Sequence, residues 1–357
     1  MNKINLMMAV ALLAFTFTAC KKDDKEPEIA VPVSDGSTMT LNGLISNETG
    51  SAAGNSVYID FSADKQTSAS RASWTLGFNG GTDFKVVLNA HNGVSAKVIN
   101  KTDLNTVTSA DLVQADLVVG LGNAAEAEFL KVDDPRQNNA LVKTVISTIS
   151  ATDSENKVYL INPAGGSHTA VFSPDNVYKV RILRKGTGYT LQYAKLSATT
   201  FSSLDIAKDS KFNYSFVSLA DNKAVSVEPE KANWDIVWTW SLYYGGTAPS
   251  QYLYGFSDLV FTNTLGGATS AEVSVATKSY ADFSASDLTN VTFSSKSNLI
   301  GENWRVTTGT GIKTAVFYLV KDAVGNVYKL KFVSMGVGSD GGTRGKPVIE
   351  YKLVKKA

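Results

Sequence analysis

Apolar and polar residues alternate with period two along several short stretches of the chain. In NVYKVRI, Tyr178, Val180 and Ile182 share one face, and Lys179 and Arg181 share the other. NVYKLKF repeats the pattern, with Tyr328, Leu330 and Phe332 opposed to Lys329 and Lys331. VYIDF sets Val57, Ile59 and Phe61 against Tyr58 and Asp60. Successive side chains of a strand point to opposite faces, so each run predicts a strand with one buried and one wet face. Turn signals part the runs: NGG from Asn79, KGTG from Lys185, GSDGG from Gly338. Strands joined this way pair antiparallel, which predicts an all-β fold of antiparallel sheets in sandwich or open-barrel form. Helical periodicity is scarce, and its best stretch, residues 124–130, is short.

The first residues obey a different rule. Lys3 precedes an uncharged, apolar run over residues 4–17. A membrane-spanning helix needs about 20 apolar residues, so this run has instead the length of a secretory signal core. Phe17, Thr18 and Ala19 then lead into Cys20, which resembles a lipobox, the cleavage and lipidation motif of bacterial lipoproteins. Cys20 is the only cysteine in the chain, so no internal disulfide and no cysteine metal site can form. Residues 1–19 are read as a lipoprotein signal peptide and Cys20 as the lipidated first residue of the mature chain. The KKDDKEPE run after it cannot bury apolar surface. Its lysine and paired aspartates resemble the signal that sends lipoproteins to the outer face of the outer membrane. Residues 20–54 are read as a lipidated tether and linker, with one strand over residues 38–44.

The rest of the chain repeats itself. RASWTLGF, carrying Trp74, is echoed by KANWDIVW, carrying Trp234. GGT at 80–82 returns at 245–247, SADL at 109–112 returns as ASDL at 285–288, and TAVF at 169–172 returns at 314–317. NVYKVRI and NVYKLKF match, and YTLQYAKL at 189–196 has a looser echo in PVIEYKLV at 347–354. The matches keep their order, which predicts two tandem β copies, 55–207 and 208–357. The period is too long for a small-unit solenoid.

Composition narrows the function. Charged residues make up 19% and the net charge is +1, so no basic surface for nucleic acid is indicated. Fourteen tyrosines suit strands of an extracellular protein. His91 and His168 are the whole histidine supply, and no HExxH, GxSxG or Walker A string occurs. Carboxylates are plentiful but nothing marks a catalytic pair. The reading is a binding protein and not an enzyme.

A Trp-[Asp/Thr]-[Ile/Leu] strand, a long middle, a Val-Tyr-Lys strand and a closing Tyr-containing strand resemble the HmuY-like lipoproteins of Bacteroidota. The first copy carries Trp74, Tyr178 and Tyr193; the second carries Trp234, Asp235, Tyr328 and Tyr351. The resemblance implies an all-β fold and haem capture at the cell surface. It implies haem held between two axial histidines or methionines and handed to an outer-membrane receptor. Haem is an apolar plate that needs an apolar slot and imidazole or thioether donors to iron. The candidate axial ligands are His168 in GGSHTAVF, His91 in AHNG, and Met335 in FVSMGVG, with no metal implied beyond the haem iron. The position of His168 is Lys313 in the second copy, so the ligand set is not repeated. Against these roles stand plainer ones: solvated loop histidines, a methionine filling a core gap, and tryptophans anchoring a sheet. Trp234, Trp238 and Trp240 share strand parity, which predicts one common face. Two other functions remain open. One is capture of a glycan or glycopeptide on exposed aromatics; the other is a structural or adhesive repeat protein.

Overall fold

The alternating stretches do form strands. In the structure, a computed structural model that describes residues 32–357, they lie in chain order as β1 (Gly36–Thr40), β2 (Asn55–Asp60), β3 (Lys65–Ser70), β4 (Leu76–Asn79), β5 (Val86–Leu88), β6 (Ser95–Ile99), β7 (Val158–Asn162), β8 (Tyr178–Lys185) and β9 (Gly188–Lys195), then β10 (Ser202–Ile206), β11 (Tyr214–Ser218), β12 (Lys223–Val225), β13 (Ile236–Gly245), β14 (Tyr252–Thr262), β15 (Thr269–Ser274), β16 (Val316–Lys321), β17 (Val327–Ser334) and β18 (Val348–Lys355). The signal peptide, Cys20 and the KKDDKEPE run lie outside the described residues.

These strands make four antiparallel sheets, ordered β10-β9-β8-β7-β6, β12-β11-β4-β5, β1-β18-β17-β16-β15 and β14-β13-β2-β3. The first two close on one core, which includes Phe78, Val180, Tyr189 and Leu191. The last two close on another, which includes Ile59, Phe61, Trp238, Tyr328 and Tyr351. The all-β sandwich expectation holds. The expected helix at 124–130 is a single turn, Glu126–Phe129.

Sheet orders of the two sandwiches superpose element for element: β4 takes the place of β13, β8 of β17, and β10 of β1. Counted as β1–β9 and β10–β18, each copy contributes nine strands. Yet the first three strands of each copy belong to the other copy's sandwich. β2 pairs with β13, with Ile59 opposite Ile236, and β11 pairs with β4, with Val217 opposite Leu76. The chain has a physical reason to do this. Kept at home, β3 and β4 would run parallel on either side of β2. Such crossovers need a dozen residues or more, and the links here are only 71–75 and 226–235. The boundary at 207/208 accordingly falls inside the first sandwich. Part of the expected linker is also structural: β1 pairs with β18 and Leu41 is fully buried in the second core.

Two expected wet faces are covered. Lys179 and Lys329 are buried. The segment that covers each leads into a short 3-10 turn with a capping box, at Ser109–Asp111 and Ala285–Asn290. Nζ of Lys179 donates to the Val107 carbonyl at 2.9 Å, and Nζ of Lys329 donates to the Tyr280 and Phe283 carbonyls at 2.6 and 2.9 Å. The echo of SADL in ASDL is this repeated cover. In β2 both faces are buried, because Tyr58 points away from the core toward the other sandwich.

Candidate functional site

The two four-stranded sheets meet through a separate apolar cluster of Tyr58, Trp74, Phe216, Val227, Trp234 and Val237. Each copy's signature tryptophan stands here, edge-on to an aromatic of the exchanged hairpin. Trp74 meets Phe216 with ring centroids 4.7 Å apart, and Trp234 meets Tyr58 at 5.0 Å. An asparagine fixes each tryptophan loop from behind. Asn89 Nδ2 donates to the Arg71 and Trp74 carbonyls, both at 2.8 Å. Asn263 Nδ2 donates to the Lys231 and Trp234 carbonyls at 2.8 and 2.9 Å. The residue after each tryptophan holds the incoming hairpin: Asp235 Oδ2 accepts from Phe61 N at 2.9 Å, and Thr75 Oγ1 accepts from Leu219 N at 3.3 Å. The asparagines escaped the sequence reading, although VVLNA and VFTNT carry them at the same offset.

A cavity of about 180 Å³ lies in this junction, lined by both tryptophans, Tyr58, Phe216, Val237 and Phe261. Its polar side holds Asp133, Asn213, Tyr214 and Glu228. Asp133 Oδ2 accepts from Leu88 N at 2.7 Å and Oδ1 from Val145 N at 2.9 Å. Glu228 Oε1 accepts from Asn213 N at 2.8 Å and Tyr214 N at 3.0 Å. Burial pushes the Asp133 carboxyl up to about 7 and the Glu228 carboxyl up to about 8, because ions are disfavoured away from water. Burial, aided by the charge of Glu228, also pushes the Tyr58 and Tyr214 phenols well above their usual value. Among the lining residues, Trp234 Nε1, Asn213 Oδ1 and Thr264 Oγ1 have no hydrogen-bond partner. Nearly all buried polar groups find partners, so such orphans in a cavity wall are notable. A strap over residues 133–140 crosses to the second sandwich, where Ser297 N donates to the Asn138 carbonyl at 2.8 Å and Asn298 Nδ2 to the Pro135 carbonyl at 3.4 Å.

The structure places the three candidate iron ligands apart. His91 sits in the 3-10 turn Ala90–Asn92 and lines the cavity. Its Nδ1 is 3.2 Å from Ser56 Oγ, which is 2.8 Å from Thr239 Oγ1. Burial, and then the Arg71 guanidinium, pulls its pKa down to about 3, so the ring is neutral. By the repeat, its counterpart is Leu265, which lines the same cavity. His168 is exposed and does not line it. Its Nε2 is 3.1 Å from the Gly255 carbonyl, and its ring lies edge-on to Tyr254 at 4.6 Å. Met335 is 0% exposed in the second core. The pairing of His91 with His168 is therefore not formed, and Met335 is the gap-filler. A cavity of about 180 Å³ is also smaller than the roughly 300–1,000 Å³ of drug-sized ligand sites. The residues lining this cavity do not fit haem. Among the described residues no group of three or more His, Cys, Asp or Glu is placed to hold a metal ion.

The three tryptophans expected on one face go to three clusters. Trp234 precedes β13 and joins the junction, and Trp238 enters the second core. Trp240, further along β13, packs with Leu242 and Leu253 instead, beside a bulge where three steps of β14 (Leu259 to Phe256) face two of β13 (Thr239 to Ser241).

Among the described residues no helix is long and apolar enough to cross a membrane. Compared with known proteins, the chain matches a family model described as HmuY protein over residues 52–351, most of its length. No curated protein and no solved structure matches it.

Proposed function

The chain belongs to the HmuY family, and on that premise we propose that it is a surface-anchored, non-catalytic binding lipoprotein, held by lipid on Cys20, that captures a small ligand in the cavity between its two sandwiches. The carrying observation is the cavity itself. Both copies build its aromatic walls, and Trp234 Nε1 and Asn213 Oδ1 stand in it without partners. Sites at the junction of two domains, apolar with a few polar groups, are the usual place for small ligands. The family is associated with haem binding. For haem to be clamped here, His91 would have to leave Ser56, and a second donor would have to enter a cavity that contains neither His168 nor Met335. The reading therefore favours a smaller ligand, delivered from the cell surface to an outer-membrane partner.

The test is a paired titration of the soluble mature chain, started after Cys20. Small aromatic compounds are followed by tryptophan fluorescence, since Trp74 and Trp234 line the cavity. Haemin is followed by visible absorption. The expected result is saturable quenching by at least one small aromatic, lost in Val237→Phe, which fills the cavity, and only weak adsorption of haemin. A saturable Soret shift at one haem per chain that disappears in His91→Ala or His168→Ala would overturn the reading in favour of haem capture.

A further inference from the structure

Two buried carboxyl groups of the cavity have no counter-ion. Asp133 and Glu228 each accept two backbone N–H groups, and no ion pair is made to either among the described residues. Among the described residues no lysine or arginine lines the cavity. His91 is neutral, Tyr58 and Tyr214 stay protonated, and the flanking Asp134 is itself paired with Arg136 and Lys143 at 2.7 and 3.0 Å. Arg71 is not in the lining; its guanidinium donates to the His91 carbonyl behind it and lies over Trp240 at 5.1 Å. The remaining wall is aromatic: Tyr58, Trp74, Phe216 and Trp234. Aromatic faces carry negative potential and attract cations, and a buried acid without a partner gains most from an incoming positive charge. Asn213 Oδ1 adds an unpartnered acceptor. Against the unpartnered indole donor, Trp234 Nε1, the lining sets two carboxyl groups, an unpartnered carbonyl and aromatic faces, and the balance favours a cation.

We propose that the cavity between the sandwiches selects a small organic cation, a primary amine carried on an apolar body of about benzene size. The size comes from the volume: the site of about 180 Å³ is near the roughly 150 Å³ of a dry cavity that takes benzene. The ammonium would lie between Glu228 and Asn213 Oδ1, with its apolar body against the two tryptophans. Anions are rejected, because any anion would meet two carboxyl groups and no cationic side chain in the lining. The inference rests on the reading that this cavity is the ligand site.

The experiment is a charge series of matched size, benzylamine, benzyl alcohol and benzoate, titrated against the soluble mature chain at pH 8.5 by calorimetry and tryptophan fluorescence. Benzylamine is expected to bind at least tenfold more tightly than benzyl alcohol, and benzoate not at all. Glu228→Gln is expected to erase the tenfold preference for benzylamine over benzyl alcohol. Lowering the pH to 6.5 is expected to weaken benzylamine alone, because both carboxyl groups then hold protons in the free protein. Equal binding of benzylamine and benzyl alcohol overturns the cation selectivity and leaves the cavity as a ligand site. Preference for benzoate overturns the selectivity outright. If none of the three binds, the cavity is closed or water-filled, and the reading on which the inference rests fails with it. The series on the unaltered chain decides these outcomes even where Glu228→Gln does not fold.

Discussion

Expressed alone, residues 208–357 will not fold, although they hold all but the first strand of a sequence copy. The second sandwich takes β1, β2 and β3 from residues before 74. Those residues place Leu41, Val57, Ile59 and Phe61 in its core, each at 0% exposure. Full burial of such a side chain contributes about 1.5–3 kcal/mol, so the four together contribute roughly 6–12 kcal/mol. A whole domain is stable by only about 5–15 kcal/mol. The fragment also loses the β2 partner of β13, and buried Asp235 loses the Phe61 N–H. Residues 74–228, by contrast, carry β4 to β12 without a break, which is every strand of the first sandwich. That segment is expected to give native-like near-UV circular dichroism and a cooperative urea transition, while exposing the Trp74–Phe216 surface to self-association. The 208–357 fragment is expected to show no cooperative transition until a 33–73 peptide is added. A cooperative transition of 208–357 alone, at a urea midpoint near that of the full chain, would refute the exchange and the reasoning from it.

Stability should fall as pH rises from 6.5 to 8.5. Burial pushes Asp235 and Glu228 up to about 8 and Asp133 to about 7, so the folded chain keeps protons that the unfolded chain has released above about 4. His91, neutral when folded, adds only a small opposing slope that fades by about pH 7.5, as the unfolded ring loses its proton. Asp235→Asn should flatten the slope and raise stability at pH 8.5 by about 1–3 kcal/mol, the scale of a buried polar penalty; urea midpoints across that range check this, and an unchanged slope would count against it. At the other end of the chain, Cys20→Ser should leave the precursor uncleaved and unlipidated. Processing and membrane fractionation as before in that variant would remove the anchor.

What could be read in the sequence was local, and what could not was pairing. Period-two alternation marks Tyr178, Val180 and Ile182 as core, and all three are buried. It does not say which copy a hairpin will join, because both candidate partners of β2 are strands of the same pattern. The information lies instead in the short links 71–75 and 226–235, which forbid the local crossover. Alternation also misjudged Lys179 and Lys329, since the carbonyls that cover them come from 72 and from 46–49 positions away. For the site, repetition was a better guide than chemical rarity. Trp74 and Trp234 recur because the junction needs one from each copy. The rare histidines drew attention as metal ligands, yet the structure uses Leu265 where the repeat would place a second His91. A residue that builds a symmetric junction must appear in both copies. A residue that gives the junction a specific ligand need appear in only one, as Glu228 and Asp133 do. Those two carry no sequence mark, because a single buried acid looks like any surface acid until the opposite sandwich covers it.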